Sequence, residues 1–175
     1  MAEMKNQTCP VCFKKTLTLS EKEMDIPYFG KLYLFGMDCE NCDFKKHDLE
    51  FEKPQDPTKI TFISEDKKDL DTRLIKSSSA TLKIPTFRMT ISPGPDSEGY
   101  VSNIEGLLNR IEEVVKKEKE NAEDPKIKKK AKNLLKKIWN AKCGEIPVKI
   151  IIEDPTGNSA IISEKTEIIS LKRKK

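Results

Sequence analysis

Apolar and polar residues alternate along most of this chain, and the alternation predicts short β-strands. Such a series of short strands is typical of a β-sandwich or barrel. Pro85 interrupts one run, so we expect it on an edge strand or at a bulge. The alternating or β-branched runs are 16–23, 31–35, 60–63, 72–75, 80–91, 148–152, 160–162 and 168–169.

A period close to 3.6 residues occurs only in the middle of the chain and predicts two helices. Ser102 and Glu105 match a capping box, which places Ser102 at the N-cap of the first helix. Asp124 followed by Pro125 begins the second helix, and Gly144 ends it. Each helix has one apolar stripe, so we expect the two to pack as a helical hairpin. The stripes comprise Ile104, Leu107, Leu108, Ile111, Val114 and Val115, and then Ile127, Ala131, Leu134, Leu135, Ile138 and Trp139.

Two CxxC pairs, Cys9 with Cys12 and Cys39 with Cys42, are separated by 26 residues. This spacing predicts a tetrahedral site of four thiolates that holds one structural Zn²⁺ ion. Four thiolates fill every coordination position, so the metal stabilises the fold and leaves no position for a substrate. The strands around the pairs then form a zinc ribbon, two short β-hairpins clamped by the metal.

The spacing alone leaves two alternatives open. The cysteines could form disulfides, but residues 1–7 lack the apolar run of a secretory signal, so we expect a reducing, cytoplasmic location. His47, five residues after Cys42, could replace or supplement a thiolate, although four cysteines already suffice.

The charge is unevenly distributed along the chain. Residues 116–137 contain ten lysines against four acids, and residues 172–175 are all basic. Such a segment is either a solvated helix face or a surface that attracts nucleic acid. The absence of arginine and aromatic residues within 116–137 favours the solvated face. No apolar run approaches the roughly 18 residues that cross a bilayer, so we expect a soluble protein without membrane attachment.

The sequence lacks the residue patterns of the catalytic sites considered below. The chain has one histidine, whereas a facial iron triad needs two. Cys143 lacks a histidine base unless His47 approaches it, and we interpret it as a buried or incidental thiol. A GxxxxGK[ST] phosphate loop is absent from the sequence. We therefore expect no enzymatic activity.

The segment 154–159 reads Asp-Pro-Thr-Gly-Asn-Ser, and every residue has a reason to form a turn. Pro155 presets φ, Gly157 permits a positive φ, and Asp154 and Asn158 can bond their own backbone. We interpret the segment as a structural hairpin turn. A loop that contacts a ligand or partner stays open as an alternative.

Five motifs in this order resemble the ZPR-one zinc-finger family of eukaryotes and archaea, and the chain is similar to its single-module, archaeal-type members. One departure is that the family often has glycine after each knuckle, where this chain has Phe13 and Asp43. Because phenylalanine tolerates a positive φ poorly, we expect the first knuckle to be shaped differently. The motifs are the paired knuckles, residues 26–29, Lys76-Ser77 with Ala80-Thr81 and Ile84-Pro85, Gly99 leading into 104–108, and 154–159.

The resemblance implies a mainly β fold with an α insertion, which agrees with the pattern of strands and helices. A zinc ribbon at 1–52 would precede a double-stranded β-helix, or jelly-roll-like, domain at 53–175 that carries the helical hairpin at about 102–143. Pro54 and Pro57 mark a linker between the two.

The family is associated with translation elongation factor one-alpha, the GTPase that delivers aminoacyl-tRNA. The resemblance therefore implies a binding protein that helps this GTPase fold or holds its GDP-like form. Several of its candidate contacts also have reasons to fix the fold, because they cap a helix or form a turn. The alternative is a zinc-ribbon protein that binds RNA, whose affinity would fall steeply with salt. The candidate partner contacts are Glu105, Gly106, Asp154, Pro155, Gly157, Asn158 and Ser159.

Overall fold

The structure is a computed structural model that describes residues 2–26, 30–53 and 55–171. The motif residues 27–29, the predicted linker residue Pro54 and the basic tail 172–175 lie outside the described residues. The described chain is mostly β-strand, with two helices between the ninth and tenth strands, which confirms the predicted fold class.

Among the described residues, the N-terminal sheet has four antiparallel strands in the order β1-β2-β3-β4. Strands β1 (Ala2–Thr8) and β2 (Lys15–Ile26) form one hairpin, and β3 (Gly30–Cys39) and β4 (Lys45–Phe51) form another. Each CxxC knuckle is the turn of one hairpin, as a zinc ribbon requires. Strands β2 and β3 also pair along most of their length, which joins the two hairpins into one sheet.

The later strands that the structure describes form two sheets, as a jelly-roll arrangement requires. One sheet has the order β12-β5-β10-β7-β8 and the other the order β11-β6-β9. The strands are β5 (Thr58–Ser64), β6 (Arg73–Lys76), β7 (Thr81–Ile84), β8 (Met89–Ile91), β9 (Tyr100–Asn103), β10 (Val148–Asp154), β11 (Ala160–Ile161) and β12 (Glu167–Ser170).

One apolar core lies between these two sheets and the helices. Strand β10 shows how the alternation builds it, because Val148, Ile150 and Ile152 are buried while Lys149 is exposed. Phe62 of β5 is fully buried in the same cluster. Each side chain of this size contributes about 1.5 to 3 kcal/mol when it is fully buried.

Helices α1 (Ile104–Asn121) and α2 (Pro125–Lys142) pack against each other as the predicted hairpin. Helix α2 begins as predicted, since Oδ1 of Asp124 accepts the backbone N–H of Lys126 at 2.7 Å. Neither helix of the described chain is long and apolar enough to cross a membrane.

The prediction of Ser102 as N-cap of α1 is wrong by one residue. Oδ1 of Asn103 accepts the backbone N–H of Gly106 at 2.8 Å, so Asn103 is the N-cap. Ser102 is still paired with Leu74 in the β6–β9 ladder, and the strand therefore ends one residue later than the capping-box pattern indicated.

Three residues of the predicted apolar stripes are exposed instead of packed. Val114, Ile127 and Trp139 are 57%, 48% and 63% exposed. Trp139 directly follows Ile138, which is fully buried, and consecutive residues lie about 100° apart around a helix. The stripe of α2 is thus narrower than predicted, and the tryptophan lies beside it.

Pro85 is placed differently from the expectation, whereas Pro57 lies in the connection between β4 and β5 that was predicted as a linker. Pro85 begins a 3₁₀ turn (Pro85–Phe87) between β7 and β8, instead of lying on an edge strand or at a bulge, because a residue without an N–H fits the first position of such a turn. Pro57 is buried, and its carbonyl accepts the backbone N–H of Leu171 at 2.7 Å. Pro57 is thus fixed at the end of the connection, while Glu52, Lys53 and Asp56 are exposed.

Candidate zinc centre and junction loop

The four knuckle cysteines place their sulfur atoms within 4.8 Å of one another. The Sγ atoms of Cys9 and Cys42 are 3.7 Å apart, as are those of Cys12 and Cys39. A disulfide bond is about 2.05 Å long, so these pairs are not disulfides. A tetrahedron with Zn–S bonds of about 2.3 Å has sulfur–sulfur edges of about 3.8 Å. The donor set and its dimensions fit one structural zinc ion, which confirms the predicted cofactor.

Neighbouring groups favour the thiolate form at part of this site. The Thr16 hydroxyl lies 3.3 Å from the Cys39 sulfur, and this hydrogen bond lowers the pKa of Cys39 to about 6. The backbone N–H of Phe44 lowers the pKa of Cys42, but burial and the neighbouring sulfurs outweigh it and raise that pKa to about 12. A cation among the four sulfurs removes this conflict, because it stabilises every thiolate at once.

The two knuckles have the same backbone shape, so the expectation of a different first knuckle is wrong. Phe13 has φ 59° and Asp43 has φ 53°, both in the left-handed region. The backbone N–H of Cys9 donates to Lys14 O at 2.9 Å, and Cys39 makes the equivalent bond in the second knuckle. Both sequences thus adopt the same kind of turn, and the Phe13 side chain is 78% exposed.

His47 and Cys143 both lie outside the sulfur cluster. His47 is on β4, with its ring nitrogens 3.8 Å from an Asp38 carboxylate oxygen and 3.7 Å from one of Glu98. Cys143 is half-buried at the C-cap of α2, where its backbone N–H donates to Trp139 O. Neither residue supplements the four thiolates.

The segment 154–159, called the junction loop below, is organised around a buried carboxylate. Asp154 is fully buried, and its Oδ2 accepts the hydroxyls of Ser159 at 2.6 Å and Ser77 at 2.8 Å. Its Oδ1 accepts the backbone N–H and the hydroxyl of Thr156, and the hydroxyl of Ser79 at 3.2 Å. Burial alone would raise the pKa of Asp154, but these hydrogen bonds outweigh it and hold the pKa below its usual value. The carboxylate therefore fastens the loop to the chain after β6.

Two further residues join the junction loop to the ribbon side of the molecule. Gly157 has φ +69°, and a Cβ there would collide with the carbonyl oxygen of Asp56 and with Gln55. The side-chain oxygen of Asn158 accepts the backbone N–H of Phe51, the last residue of β4, at 3.3 Å. The loop thus has a requirement for glycine and a direct hydrogen bond to the zinc ribbon.

The ribbon and the jelly roll share a second apolar cluster. Leu32 and Phe51 of the ribbon are buried together with Ile75 and Ala160 of the jelly roll. The hydroxyl of Ser78 donates to an Asp48 carboxylate oxygen at 2.9 Å across the same boundary. A cleft of about 180 Å³ opens beside this boundary. Its lining includes Phe35, Asp48, Glu50, Ser78, Thr156 and Asn158.

Comparison with known proteins gives two matches that follow the two parts of the fold. Residues 3–53 match a family model described as the ZPR1 zinc-finger domain, and residues 68–174 match one described as the ZPR1 jelly-roll domain. The chain belongs to the ZPR1 (ZPR-one) family. The resemblance that the ordered motifs indicated is thereby confirmed.

Relatives of this ZPR1-family chain occur in archaea and eukaryotes. An uncharacterised ZPR1-like protein of Methanocaldococcus jannaschii is 39% identical, over 95% of this chain and 85% of that protein. One from Pyrococcus horikoshii is 36% identical, over 94% and 76%. The zinc finger chaperone zpr1 of Schizosaccharomyces pombe is 32% identical over 78% of this chain, which corresponds to only 30% of that longer protein.

The predicted partner contacts of this ZPR1-family chain lie in two separate places. Glu105 and Gly106 lie in the first turn of α1. This turn follows Asn103, which pairs with Arg73 at the start of β6. The junction loop contacts Ser77, which follows the end of β6 and lies about 13 Å along the chain from Arg73. In the loop, Asp154, Gly157 and Ser159 are buried, Asn158 is half-buried and Pro155 is exposed. The structure does not bring the two groups together, and their role in binding stays a prediction.

The sequence-based list of contacts omitted residues that line the cleft. Phe35 is 39% exposed there, and Thr156 is exposed beside it. A signal for Phe35 existed, because it ends an alternating run, but alternation alone did not show that its outward face meets the jelly roll. Ser78 carried no signal, since its partner Asp48 is 30 residues away in the chain.

Proposed function

We propose that this chain is a ZPR1-type chaperone that binds translation elongation factor one-alpha in the cytoplasm, and that it helps this GTPase fold or holds its GDP-like form. Family membership supports a protein client, since the related protein of S. pombe is named a zinc finger chaperone. The chain spans about a third of that relative, so the activity transfers as a proposal. The closed thiolate site supports a role in binding instead of catalysis, because four sulfurs leave the metal no open position.

The shared core of ribbon and jelly roll is the observation that carries this proposal. Buried apolar contacts, the Asn158–Phe51 hydrogen bond and the Ser78–Asp48 hydrogen bond all cross the boundary between them. A boundary with its own apolar core holds its two sides in one orientation, which reduces the entropy lost when both bind one client. The zinc-dependent half and the β-domain thus offer the client one preorganised surface.

The junction cleft is our candidate for the centre of that surface. The half-exposed ring of Phe35 stands next to the hydroxyl of Thr156 and the carboxylates of Asp48 and Glu50. Protein interfaces typically place an aromatic residue inside such a polar rim. Thr156 and Asn158 of the junction loop also line the cleft, and Asn158 is one of the loop contacts that the family resemblance implied.

The direct test is calorimetric titration of the zinc-loaded protein with the elongation factor from the same cell. The factor is prepared in GDP, GTP-analogue and nucleotide-free forms, and each titration is run at two salt concentrations. We expect micromolar or tighter affinity that depends on the nucleotide state and changes little with salt. Absence of binding in all three forms would overturn the proposal.

A matched pair of variants locates the binding surface. Phe35→Ala removes the aromatic side chain of the cleft, and Ile63→Ala removes a side chain of similar exposure (42%) on β5. An aromatic residue that is a hot spot of an interface contributes more than about 1 kcal/mol to binding. We therefore expect Phe35→Ala to weaken binding by a factor of about five or more. Ile63→Ala should bind like the natural protein. Equal affinities for both variants would move the interface away from the cleft.

A further inference from the structure

Helix α2 carries a row of lysines along one exposed face, separate from the junction cleft. Lys128, Lys132 and Lys136 are spaced four residues apart, so consecutive lysines rise about 6 Å along the helix. With Trp139, three residues beyond Lys136, they lie within about 80° of the helix circumference. We call these four residues the α2 face. All four are exposed.

The charges of the α2 face are not neutralised within the described chain. Among the residues that the structure describes, none of its three lysines forms an ion pair with an acidic side chain. Glu112 of α1 pairs instead with Lys116 and Lys142, each at 2.6 Å. The α2 face therefore attracts an anionic partner without first breaking an internal ion pair.

Trp139 changes the interpretation of the lysine-rich segment. Residues 116–137 themselves contain no aromatic side chain, which by itself favours a solvated face. The helix brings Trp139, two residues beyond that segment, back among the lysines, and the side chain is 63% exposed. A large exposed aromatic side chain that adds little to the core is typical of a binding surface.

We propose that the α2 face binds single-stranded RNA, with Lys128, Lys132 and Lys136 on phosphates and the Trp139 ring stacked on a base. Each nucleotide joins a charged phosphate to a flat ring, so one strand matches lysines and a tryptophan on the same helix face. An acidic protein would neutralise the lysines but provides no repeating flat ring for Trp139. A second copy of the chain would place like charges opposite each other, and a membrane surface would need more apolar side chains on this face.

The test uses an unlabelled oligouridylate of about 20 nucleotides, longer than a typical single-strand site. Trp139 is the chain's only tryptophan, so its intrinsic fluorescence reports directly on the proposed contact. We expect the oligonucleotide to quench this fluorescence and the affinity to fall as salt rises. Polyglutamate of the same charge serves as the anionic protein probe. Equal affinity for polyglutamate, or RNA binding without quenching, would overturn the proposal.

Two triple variants with the same net charge distinguish the α2 face from diffuse charge. Lys128, Lys132 and Lys136 are replaced by glutamine in one, and the exposed Lys126, Lys130 and Lys137, on another side of the same helix, in the control. Since each phosphate contact contributes about 0.7 to the slope of log affinity against log salt, the first variant should lower that slope by about 2. The control should keep most of it. Equal losses in both variants would contradict a defined site.

Two substitutions of Trp139 test the stacking contact. Trp139→Ala should weaken oligouridylate binding about tenfold, whereas Trp139→Phe should retain most of the affinity because its ring still stacks. Fluorescence anisotropy of an end-labelled oligouridylate measures both variants, which lack the intrinsic tryptophan signal. Unchanged affinity of Trp139→Ala would show that the ring does not contact RNA. Elongation-factor binding, measured in parallel, should be unaffected by these substitutions.

Discussion

The junction loop and helix α2 are both rich in polar residues, but they direct them to opposite sides. In the loop, the Asp154 carboxylate is fully buried and accepts hydrogen bonds from four different side chains. On α2, the lysines of the α2 face point to solvent and form no ion pair among the described residues. The polar groups of the loop hold the fold together, whereas those of the helix are exposed to solvent.

This difference shows that a distinctive motif is not always a contact surface. The sequence Asp-Pro-Thr-Gly-Asn-Ser stands out more than a run of lysines, yet three of its six residues are buried. The lysine-rich segment has the pattern of an ordinary solvated face, yet the helix that contains most of it also exposes Trp139. The distinctive residues of the loop are therefore explained by packing against residues that are distant in the chain. The lysines and the tryptophan of α2 are instead exposed to solvent.

The largest loss of stability is expected at the zinc site, where the sulfur atoms of the four cysteines face one another. Cys39→Ser removes one of four thiolates, and structural zinc provides about 10 to 16 kcal/mol of apparent binding energy in small zinc domains. We expect loss of zinc and unfolding of the ribbon, measured by metal analysis and circular dichroism under reducing conditions. Cys143→Ser, which lies outside the cluster, is the control and should retain one zinc per chain. Full zinc content in Cys39→Ser would contradict the site.

The next largest effect is expected at Asp154. Asp154→Ala leaves hydroxyl donors of Ser77 and Ser159 without their buried acceptor, and we expect a loss of about 3 to 5 kcal/mol in the free energy of unfolding. Chemical denaturation measures this change. Asp96→Ala, an exposed aspartate, should change it by less than about 0.5 kcal/mol. Similar values for both variants would show that the loop does not fix the fold.

The pH dependence of stability provides a second measure of Asp154. Folding lowers the pKa of this carboxyl, so the ionised carboxylate stabilises the folded state. This contribution to the free energy of unfolding is fully present above the ordinary pKa of about 3.9, and it is lost as pH falls through the lowered pKa. The difference in unfolding free energy between the natural protein and Asp154→Ala should therefore narrow below about pH 4. A difference that stays constant down to lower pH would mean that the folded pKa is not lowered.

A smaller effect is expected for the backbone of the junction loop. Gly157→Ala forces an alanine into the left-handed region and against Asp56, so we expect a loss of about 2 kcal/mol or more. Gly94→Ala is the matched control, because a Cβ there meets no atom within 4 Å. Thermal unfolding of both variants measures the contrast. Equal melting temperatures would mean that the loop is not packed against residues 55 and 56.

The smallest effect on stability is expected on α2. Replacing Lys128, Lys132 and Lys136 with glutamine should change the unfolding free energy by less than about 0.5 kcal/mol, because glutamine has nearly the same helix propensity. Chemical denaturation of this triple variant, run in parallel with Asp154→Ala, measures the contribution of each region to stability. A loss as large as that of Asp154→Ala would show that the α2 lysines also hold the fold.

Local patterns predicted the features that depend on nearby residues. The four cysteines, the hairpin of α1 and α2, and the Asp124 cap were all predicted from short spacings. Strand β1 was missed because nearly all its side chains are exposed, so it shows no apolar alternation. The Ser102 cap was wrong because pairing of β9 with β6, a long-range contact, carries the strand one residue further.

The role of the junction loop could not be predicted from the sequence, again because its main contacts are long-range. The loop's turn-forming residues were visible, but the partners of Asp154 lie at Ser77 and Ser79, more than 70 residues earlier. Phe13 adopts a left-handed φ against its usual preference, in a turn that brings Cys9 and Cys12 together with two cysteines about 30 residues away. Trp139 was assigned to the core, since a period of 3.6 does not show where a stripe ends.

The most direct test of the account is whether the zinc-loaded protein assists the folding of its proposed client. Chemically denatured elongation factor one-alpha is diluted into buffer with an equimolar amount of the protein, and recovered GDP binding is measured. We expect a higher yield of active GTPase with the natural protein and with Ile63→Ala, and a smaller increase with Phe35→Ala. A yield no higher than with serum albumin, in both GDP and GTP, would contradict the proposed chaperone function.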